Sequence, residues 1–225
     1  MGNFIDSITS EPVHLPPRTL IYGPYKVGKS TFGASAPNAI FMDLEKGIPG
    51  RAVARFTGVE NYSDVVIALK ELAISAHDHR TLVIDSASAL QAMIHAEICD
   101  GANVENIGLI PFGRGYSAAA AYWEEIRKSL DVLREQRGMT IIMIAHSEIV
   151  EVRDPVTGPF SKLSPSIDKR ALGSLLEWFD LIALLSMDRV VAHKGTGNSE
   201  IITSKVTGSR ILITQDDGTA VAGCR

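Results

Sequence analysis

The chain has 225 residues, of which 45% are hydrophobic and 21% are charged, with a formal net charge of −4 and two cysteines. This composition is ordinary for a globular protein with one sizeable domain, and the acidic balance argues against a generic electrostatic grip on nucleic acid. Two cysteines do not make a disulfide framework, and the apolar runs are too short to span a bilayer, so no membrane partner is expected.

The N-terminal residues 1–18 are predicted to form a polar lead-in, which Pro16-Pro17 closes in an extended conformation. The segment lacks a basic start followed by a long apolar run, so we expect no secretory signal and a cytoplasmic protein. Residues 19–225 are then predicted to form a single domain.

A phosphate-binding loop is predicted directly after the first strand. The apolar run Leu20-Ile21-Tyr22 leads into a full match to G-x-x-x-x-G-K-[ST], and a short helical segment follows over 30–35. Glycines let successive backbone N–H groups point at phosphate oxygens, and the helix start adds its unpaired amides. The sequence therefore predicts a nucleoside triphosphate site formed by Gly23, Pro24, Tyr25, Lys26, Val27, Gly28, Lys29, Ser30 and Thr31. In it, Lys29 would carry charge to the outer phosphates and the Ser30 hydroxyl would ligate magnesium.

An acid follows the apolar run of the strand predicted over 81–85. The carboxyl end of a central parallel strand opens next to a nucleotide bound at the phosphate loop. Asp85 is therefore predicted to take part in the magnesium site beside Ser30. The alternative is that Asp85 caps the helix that begins at Ser86.

A second acid, Glu45, ends the strand predicted over 39–45. A carboxylate at this edge would face the γ-phosphate and orient the attacking water, which is the kind of positioning that hydrolysis requires. Two alternatives stay open at this point: Glu45 is an exposed turn acid, or Asp43, two positions earlier on the same face, takes the role.

A histidine, His146, follows the third apolar strand, predicted over 139–145. At the ligand edge of the sheet it would sense the γ-phosphate through a hydrogen bond and pass that state to the loop behind it. The alternative is a histidine whose ring is satisfied by a neighbouring backbone group.

The remaining pattern predicts one α/β domain whose mostly parallel sheet is flanked by helices and has an antiparallel C-terminal edge. Predicted helices lie at 63–75, with Ser63 as N-cap, and at 87–98, 117–136 and 167–178. Irregular segments are predicted at 100–115 and 151–166. A fourth buried strand at 181–185 precedes alternating segments at 190–192, 200–206 and 211–214, with a turn at 195–198.

Several cations follow the phosphate loop in the sequence. Lys205 and Arg210 lie on the C-terminal strands, where a cation would complete a neighbouring subunit's site as an arginine finger does. The usual alternative for such residues is an exposed hairpin surface. A solvated face is expected for Lys162, Lys169 and Arg170.

The order of these motifs resembles the ATPase core of RecA-like recombinases, and above all the small phage and prophage RecA-like ATPases, some of which act as single-strand annealing proteins. The likeness rests on the segments GPYKVGKST, IFMDLEKG, TLVIDSASAL and IIMIAHSE and covers residues 19–214. It implies a RecA-like P-loop NTPase core that uses ATP and Mg²⁺ and acts in the cytoplasm of a bacterial host.

The resemblance also implies roles for individual residues. Glu45 takes the place of the catalytic glutamate, Asp85 that of the magnesium-associated acid, and His146 that of the residue coupling nucleotide state to DNA. Lys205 takes the place of the cation that reaches across the subunit boundary. Loops near 103–115 and 150–169 would line a path for single-stranded DNA. The family pattern further implies a homo-oligomer, either ring or filament, and a single-strand binding protein as a possible partner.

One departure concerns the C-terminal cations, because the family tends to place a lysine and an arginine close together, whereas four residues separate Lys205 from Arg210. The first hypothesis is a DNA-stimulated ATPase of phage recombination or replication. The alternative is a nucleotide-gated interaction or loader protein that regulates a replication partner without binding DNA. A small-molecule kinase ranks low because no arginine-rich lid is found, and a GTPase lower still because no Asn-Lys-x-Asp signal is found.

Overall fold

The structure is a computed structural model, and it describes residues 14–47, 52–155, 158–194 and 201–225 together with Ile8 and Ser10. Most of the predicted lead-in and the turn predicted at 195–198 lie outside the described residues. Within them, the strands are β1 Arg18–Gly23, β2 Ala39–Asp43, β3 Ala54–Arg55, β4 Thr81–Asp85, β5 Thr140–Asp154, β6 Gly158–Pro165, β7 Leu181–Lys194, β8 Ile201–Ile213 and β9 Gly223–Cys224. The helices are α1 Lys29–Ala34, α2 Tyr62–Ile74, α3 Ala87–Ala102, α4 Arg114–Arg137 and α5 Lys169–Trp178.

The strands form one mixed sheet in the order β3-β2-β4-β5-β1-β7-β8, with β6 paired to β5 and β9 paired to β7. The pairs from β3 through to β7 are parallel, and β6, β8 and β9 add antiparallel partners. The predicted mostly parallel α/β sheet with an antiparallel C-terminal edge is therefore confirmed. Its register places Asp43 opposite Asp85 and Gly23 opposite His146, so the predicted polar residues meet at one edge.

Both faces of the sheet are covered, because successive residues of each central strand point to opposite sides. On one side, Leu20 and Tyr22 belong to the main core with the buried stripe of α4, which consists of Trp123, Ile126, Leu130 and Leu133. On the other side, Ile21 and Val83 belong to a smaller cluster. The predicted apolar face of the longest helix is therefore buried as expected.

Two helix starts differ from the sequence prediction. Helix α2 is capped by Asn61 and not by Ser63, because the Asn61 side chain accepts from the Asp64 backbone while Asp64 bonds back to the Asn61 amide. Helix α4 begins at Arg114, three residues before the predicted start, directly after two short 3₁₀ turns at Ile107–Leu109 and Pro111–Gly113. The predicted irregular segment is therefore shorter than expected, since α3 also continues to Ala102.

The predicted polar loop at 151–166 is wrong, because most of this segment forms a β-hairpin. Strand β5 continues past the sheet to Asp154 and pairs antiparallel with β6 from Ser147–Pro165 to Asp154–Gly158. The prolines stand in the turn and at the ends of β6, where a missing N–H does not interrupt the ladder. The outer part of the hairpin is regular but polar. Most of its side chains are exposed or half-buried, so the sequence there resembles that of a loop.

Candidate functional site

The phosphate loop lies between β1 and α1 and depends on two glycines. A Cβ atom at Gly23 would lie 2.2 Å from the carbonyl oxygen of Leu185 on β7, so no side chain fits there. Gly28 has φ 109° and forms the N-cap of α1, a left-handed conformation that favours glycine. The tight loop therefore needs glycine at both positions, because residue 23 has no space for a side chain and residue 28 has a backbone angle that favours glycine.

Lys29 lies buried at the start of α1, and its ammonium is held by the loop itself. Nζ donates to the carbonyl oxygens of Gly23 and Pro24 at 2.8 and 2.9 Å. Burial lowers the pKa of Lys29, while the negative charges of Asp85 and Glu45 act in the opposite direction. The ammonium is therefore fixed inside the loop, where phosphate oxygens would compete with the two carbonyls.

Ser30 and Asp85 meet at the carboxyl edge of the sheet. The Ser30 Oγ donates to Asp85 Oδ2 at 2.6 Å, and Asp85 is buried. Burial raises the pKa of Asp85, the Ser30 hydrogen bond acts against that rise, and the charges of Glu45 and Asp43 add to it. A buried carboxylate beside a hydroxyl, with further acids close by, is a setting that a cation would stabilise.

This pair fits the oxygen chemistry of Mg²⁺, which usually takes one or two protein carboxylates and completes its shell with water and phosphate oxygens. Within the described part of the chain, no group of three or more His, Cys, Asp or Glu residues is placed to hold a metal ion. An all-protein metal cage is therefore not what these residues build. Ser30 and Asp85 are the residues that would hold a nucleotide-associated magnesium.

Glu45 lies just beyond β2 and is held by two neighbours. Its Oε1 accepts from the Ser86 hydroxyl and lies 2.9 Å from Nε2 of His146. Since the carboxylate accepts, this contact requires the proton on Nε2 of the ring. Glu45 is an exposed turn residue, as one of the alternatives stated, and these two contacts place its carboxylate on the ligand side of the sheet.

His146 links this carboxylate to the phosphate loop. Its ring stacks on Tyr25, with ring centroids 4.2 Å apart and the planes 28° from parallel. Its carbonyl oxygen accepts from the Ser166 amide at 2.8 Å, at the base of the β5–β6 hairpin. A contiguous set of contacts therefore runs from the loop through His146 to Glu45 and to the hairpin.

These residues surround one cavity of about 340 Å³. Its lining consists of Tyr25, Lys26, Gly28, Lys29, Ser30, Thr31, Glu45, Gly47, Asp85 and His146. The competitor Asp43 is not among them, because its Oδ1 accepts from the Gly47 amide at 3.0 Å and its side chain lines a neighbouring cavity of about 430 Å³. Val27, also predicted to bind nucleotide, packs its side chain into the smaller core cluster, so only its backbone would be available to phosphate.

The two C-terminal cations lie in different places. Lys205 is exposed on β8 opposite Val190, and it does not line the cavity. Arg210 stands opposite Met187, and its Nε donates to the Val27 carbonyl oxygen at 2.7 Å. The sequence suggested Arg210 only as an alternative to Lys205 for a neighbouring subunit's site, whereas here it contacts the phosphate loop of its own chain.

Of the three basic residues expected on a solvated face, Lys169 is exposed, whereas Lys162 and Arg170 have local partners. Lys162 pairs with Asp216, and the Nη1 of Arg170 donates to the Gly113 carbonyl at 2.5 Å and to Ser117.

Ser86 is a site residue that the sequence analysis considered only as the start of a helix. Its position directly after Asp85, as N-cap of α3, was the available signal.

The chain is similar to one described family, to a prophage protein and to a recombinase structure. Residues 15–225 match the family described as AAA domain. A relative from the SPbeta prophage of Bacillus subtilis strain 168, YorG, is 26% identical over 176 residues, which are 76% of this chain and 50% of that protein. The chain therefore spans about half the length of this relative. The crystal structure of the RadB recombinase is similar at 15% identity and a TM-score of 0.49, covering 92% of this chain and 91% of that one. No helix in the described residues is both long and apolar enough to cross a membrane.

Proposed function

The chain belongs to the AAA domain family, and from that premise we propose that it is a magnesium-dependent ATPase acting on single-stranded DNA in phage recombination, annealing or replication. The family match and the prophage relative confirm the predicted resemblance to phage RecA-like P-loop ATPases. One observation carries the proposal: the Ser30–Asp85 contact stands beside Lys29, and Glu45 lines the same cavity. Binding, charge neutralisation and water activation thus have a residue each within one site.

The proposed reaction divides its work among few residues. The loop amides and Lys29 hold the β- and γ-phosphates, which would replace the Gly23 and Pro24 carbonyls as partners of the ammonium. Ser30 and Asp85 would hold magnesium, which when bound neutralises charge on the phosphate oxygens. Glu45 orients the attacking water and accepts its proton.

His146 and Ser86 are proposed to position Glu45 for this role. Both hydrogen bonds reach the same oxygen, Oε1, which leaves Oε2 to accept from water. The stack on Tyr25 keeps the His146 ring in place. If phosphate binding moves the loop, the movement would therefore also displace the Glu45 carboxylate and the base of the hairpin.

DNA binding is proposed from the family resemblance and from two exposed elements. Phe112 is 92% exposed on the 3₁₀ segment before α4, and the guanidinium of Arg114 lies 5.8 Å from its ring centroid. Exposed aromatic rings beside cations are the surfaces on which single-stranded bases stack. Ile149, 74% exposed, lies on the hairpin that begins next to His146. Phe112 and Arg114 lie within the DNA loop predicted at 103–115, and Ile149 directly precedes the one predicted at 150–169.

Assembly into a ring or filament is proposed on the same basis, in the cytoplasm of a bacterial host. Strand β8 is the last strand in the order of the sheet, and Val206, Ile211 and Leu212 on it are exposed apolar residues. Lys205 lies on this strand and would reach the nucleotide of a neighbouring subunit. A single-strand binding protein is retained as a further candidate partner.

The test is ATP turnover by the purified chain, with and without a single-stranded oligonucleotide, and with Lys29→Ala as the matched inactive variant. We expect magnesium-dependent turnover that the oligonucleotide stimulates and that the variant lacks. Turnover without stimulation, combined with no retention of DNA at low salt, would remove the DNA part of the proposal and leave the ATPase. No turnover by the unaltered chain in either condition would remove both.

The alternative of a nucleotide-gated loader has one specific observation in its favour. The hairpin over 147–165 carries three acids and two bases in the sequence, namely Glu148, Glu151, Asp154, Arg153 and Lys162. A slightly acidic hairpin with an exposed Ile149 suits a protein surface better than a phosphate backbone. This alternative would be favoured if the chain captures a replication protein, if the capture requires ATP, and if DNA does not change it.

A further inference from the structure

Arg210 makes a contact with the phosphate loop that nothing in the proposed reaction uses. Its Nε donates to the Val27 carbonyl at 2.7 Å, and its guanidinium lies against Gly28, where a Cβ atom would come within 3.2 Å of Nε. The glycine of the loop motif therefore also makes room for this arginine. Among the described residues, Nε is the only atom of Arg210 with a hydrogen-bond partner.

The strand that carries Arg210 leads directly into a segment that holds the hairpin. We name residues 214–225, which follow β8, the C-terminal strap. The Leu163 amide of β6 donates to the Thr219 carbonyl at 2.8 Å, and the Val221 amide donates to the Leu163 carbonyl at 2.9 Å. Asp216 of the strap pairs with Lys162 of β6. The strap thus adds backbone and side-chain contacts along the inner half of the hairpin.

A buried tyrosine fixes the strap to the sheet below the phosphate loop. The Tyr22 hydroxyl, on β1, donates to the carbonyls of Val221 and Leu163 at 2.9 and 3.2 Å. Ala220 is fully buried beside this contact. The strap therefore contacts both β1 and β6, and a displacement of either strand is transmitted to the other through these contacts.

We propose that Arg210 is a positioning residue that acts in cis: it fixes the phosphate loop through the Val27 carbonyl and conveys the loop's occupancy through β8 and the C-terminal strap to the β5–β6 hairpin. The inference rests on the proposed function, because it requires that the loop binds ATP. Phosphate oxygens compete for Lys29 with the Gly23 and Pro24 carbonyls, so binding must alter the loop in which Val27 lies. Arg210 is the side chain that ties this loop to β8.

The experiment measures two quantities on the full chain: the affinity for a non-hydrolysable ATP analogue, and hydrogen exchange of the hairpin amides in 158–165 with and without saturating analogue. Arg210→Met removes the N–H donor and the charge and keeps an unbranched side chain, whereas Arg210→Lys restores the charge with an ammonium donor. Arg189→Gln is the matched control, since it removes an exposed cation from the same β7–β8 hairpin. Asp216→Asn weakens the other end of the connection by removing the ion pair with Lys162, and it leaves the loop untouched.

We expect Arg210→Met to weaken analogue binding about tenfold, which is the loss of about 1.4 kcal/mol, and to abolish the change in hairpin exchange even at saturation. Arg210→Lys should recover part of the affinity, and Arg189→Gln should behave as the unaltered chain. Asp216→Asn should keep the affinity but reduce the response of the hairpin. Thermal unfolding of each variant separates these effects from loss of the fold, and Asp216→Asn keeps the test open if Arg210→Met unfolds.

Two results would overturn the inference. One is unchanged affinity together with an unchanged hairpin response in Arg210→Met. The other is an unaltered chain that binds the analogue with no change in hairpin exchange at all. An unaltered chain that fails to bind the analogue would instead remove the proposed function, and the inference with it, so the two failures are distinguishable.

Discussion

Replacing Glu45 by glutamine tests the assignment of the water-orienting residue, because the substitution removes the proton acceptor and keeps the shape. Glutamine retains one carbonyl oxygen, which is able to accept from Ser86 and from Nε2 of His146 as Oε1 does now. The groups that would bind the phosphates, Lys29 and Ser30, do not contact Glu45 directly by hydrogen bond. Binding of ATP should therefore survive while turnover falls.

The size of the fall follows from what a positioned base contributes. General base catalysis typically supplies about a hundredfold to ten-thousandfold in rate, which corresponds to about 2.7 to 5.4 kcal/mol of activation free energy. Turnover of ATP at saturation should fall by a factor in this range for Glu45→Gln, with the affinity for an ATP analogue within about threefold of the unaltered chain. The assay is phosphate release at saturating ATP and magnesium, with analogue binding measured separately.

The control is Glu60→Gln, which neutralises a nearby acid that forms an exposed ion pair with Lys46. Such a pair contributes little to stability, and it lies outside the cavity, so turnover should be unchanged. Glu45→Gln that keeps more than a tenth of the turnover would refute the role given to Glu45. A parallel loss of analogue binding would show instead that the carboxylate supports the loop and not the water.

Three further changes test the phosphate loop, the core and an ion pair at the start of β1. Gly23→Ala would place a Cβ atom 2.2 Å from the Leu185 carbonyl; the loop must shift, and we expect analogue binding to fall at least about tenfold, at a stability cost of about 1–3 kcal/mol measured by urea unfolding. Trp123→Ala empties a fully buried position of α4 and should cost about 3–5 kcal/mol in the same measurement. Burial acts to raise the pKa of Asp180, but hydrogen bonds and charge from Arg18 outweigh it and hold that pKa below its usual value. The stability from Asp180 is therefore present above about pH 4 and lost as the pH falls through the lowered pKa, and urea unfolding of Asp180→Asn should show a smaller loss between pH 7 and pH 3 than the unaltered chain.

The central strands and the phosphate loop were predictable because their signals are local. Each central strand is a continuous apolar run, which is the pattern of a strand buried on both faces, and the residues of the loop motif are contiguous in the sequence. The hairpin over β5 and β6 was missed because both of its faces are largely solvated, which removes the alternation of apolar and polar residues that identifies a half-buried strand. Its prolines then favoured an irregular loop, although they stand only at positions where a strand tolerates them.

Residues of the site were predictable where the parallel sheet alone decides their position. Asp85, Glu45 and His146 each follow the apolar part of neighbouring strands, so the sheet must bring them to one edge whatever the details of packing. The hydrogen-bond partners of Glu45 were not predictable, because the bond to Ser86 depends on the directions of side chains that lie beyond the ends of two strands. A periodic pattern carries no information about those directions.

The choice between Lys205 and Arg210 depends on a bulge that no sequence pattern specified. Arg210 pairs with Met187 and Val206 with Arg189, so the three residues at 207–209 stand opposite Asp188 alone. Thr207 donates to the Asp188 carboxylate at 2.9 Å, and Gly208 at φ 93° takes a left-handed turn. A bulge of this kind bends the strand and re-aims the side chains that follow it. The residues that separate the two cations are thus what places Arg210 on its own phosphate loop, while Lys205 stays exposed on the other side of the bulge.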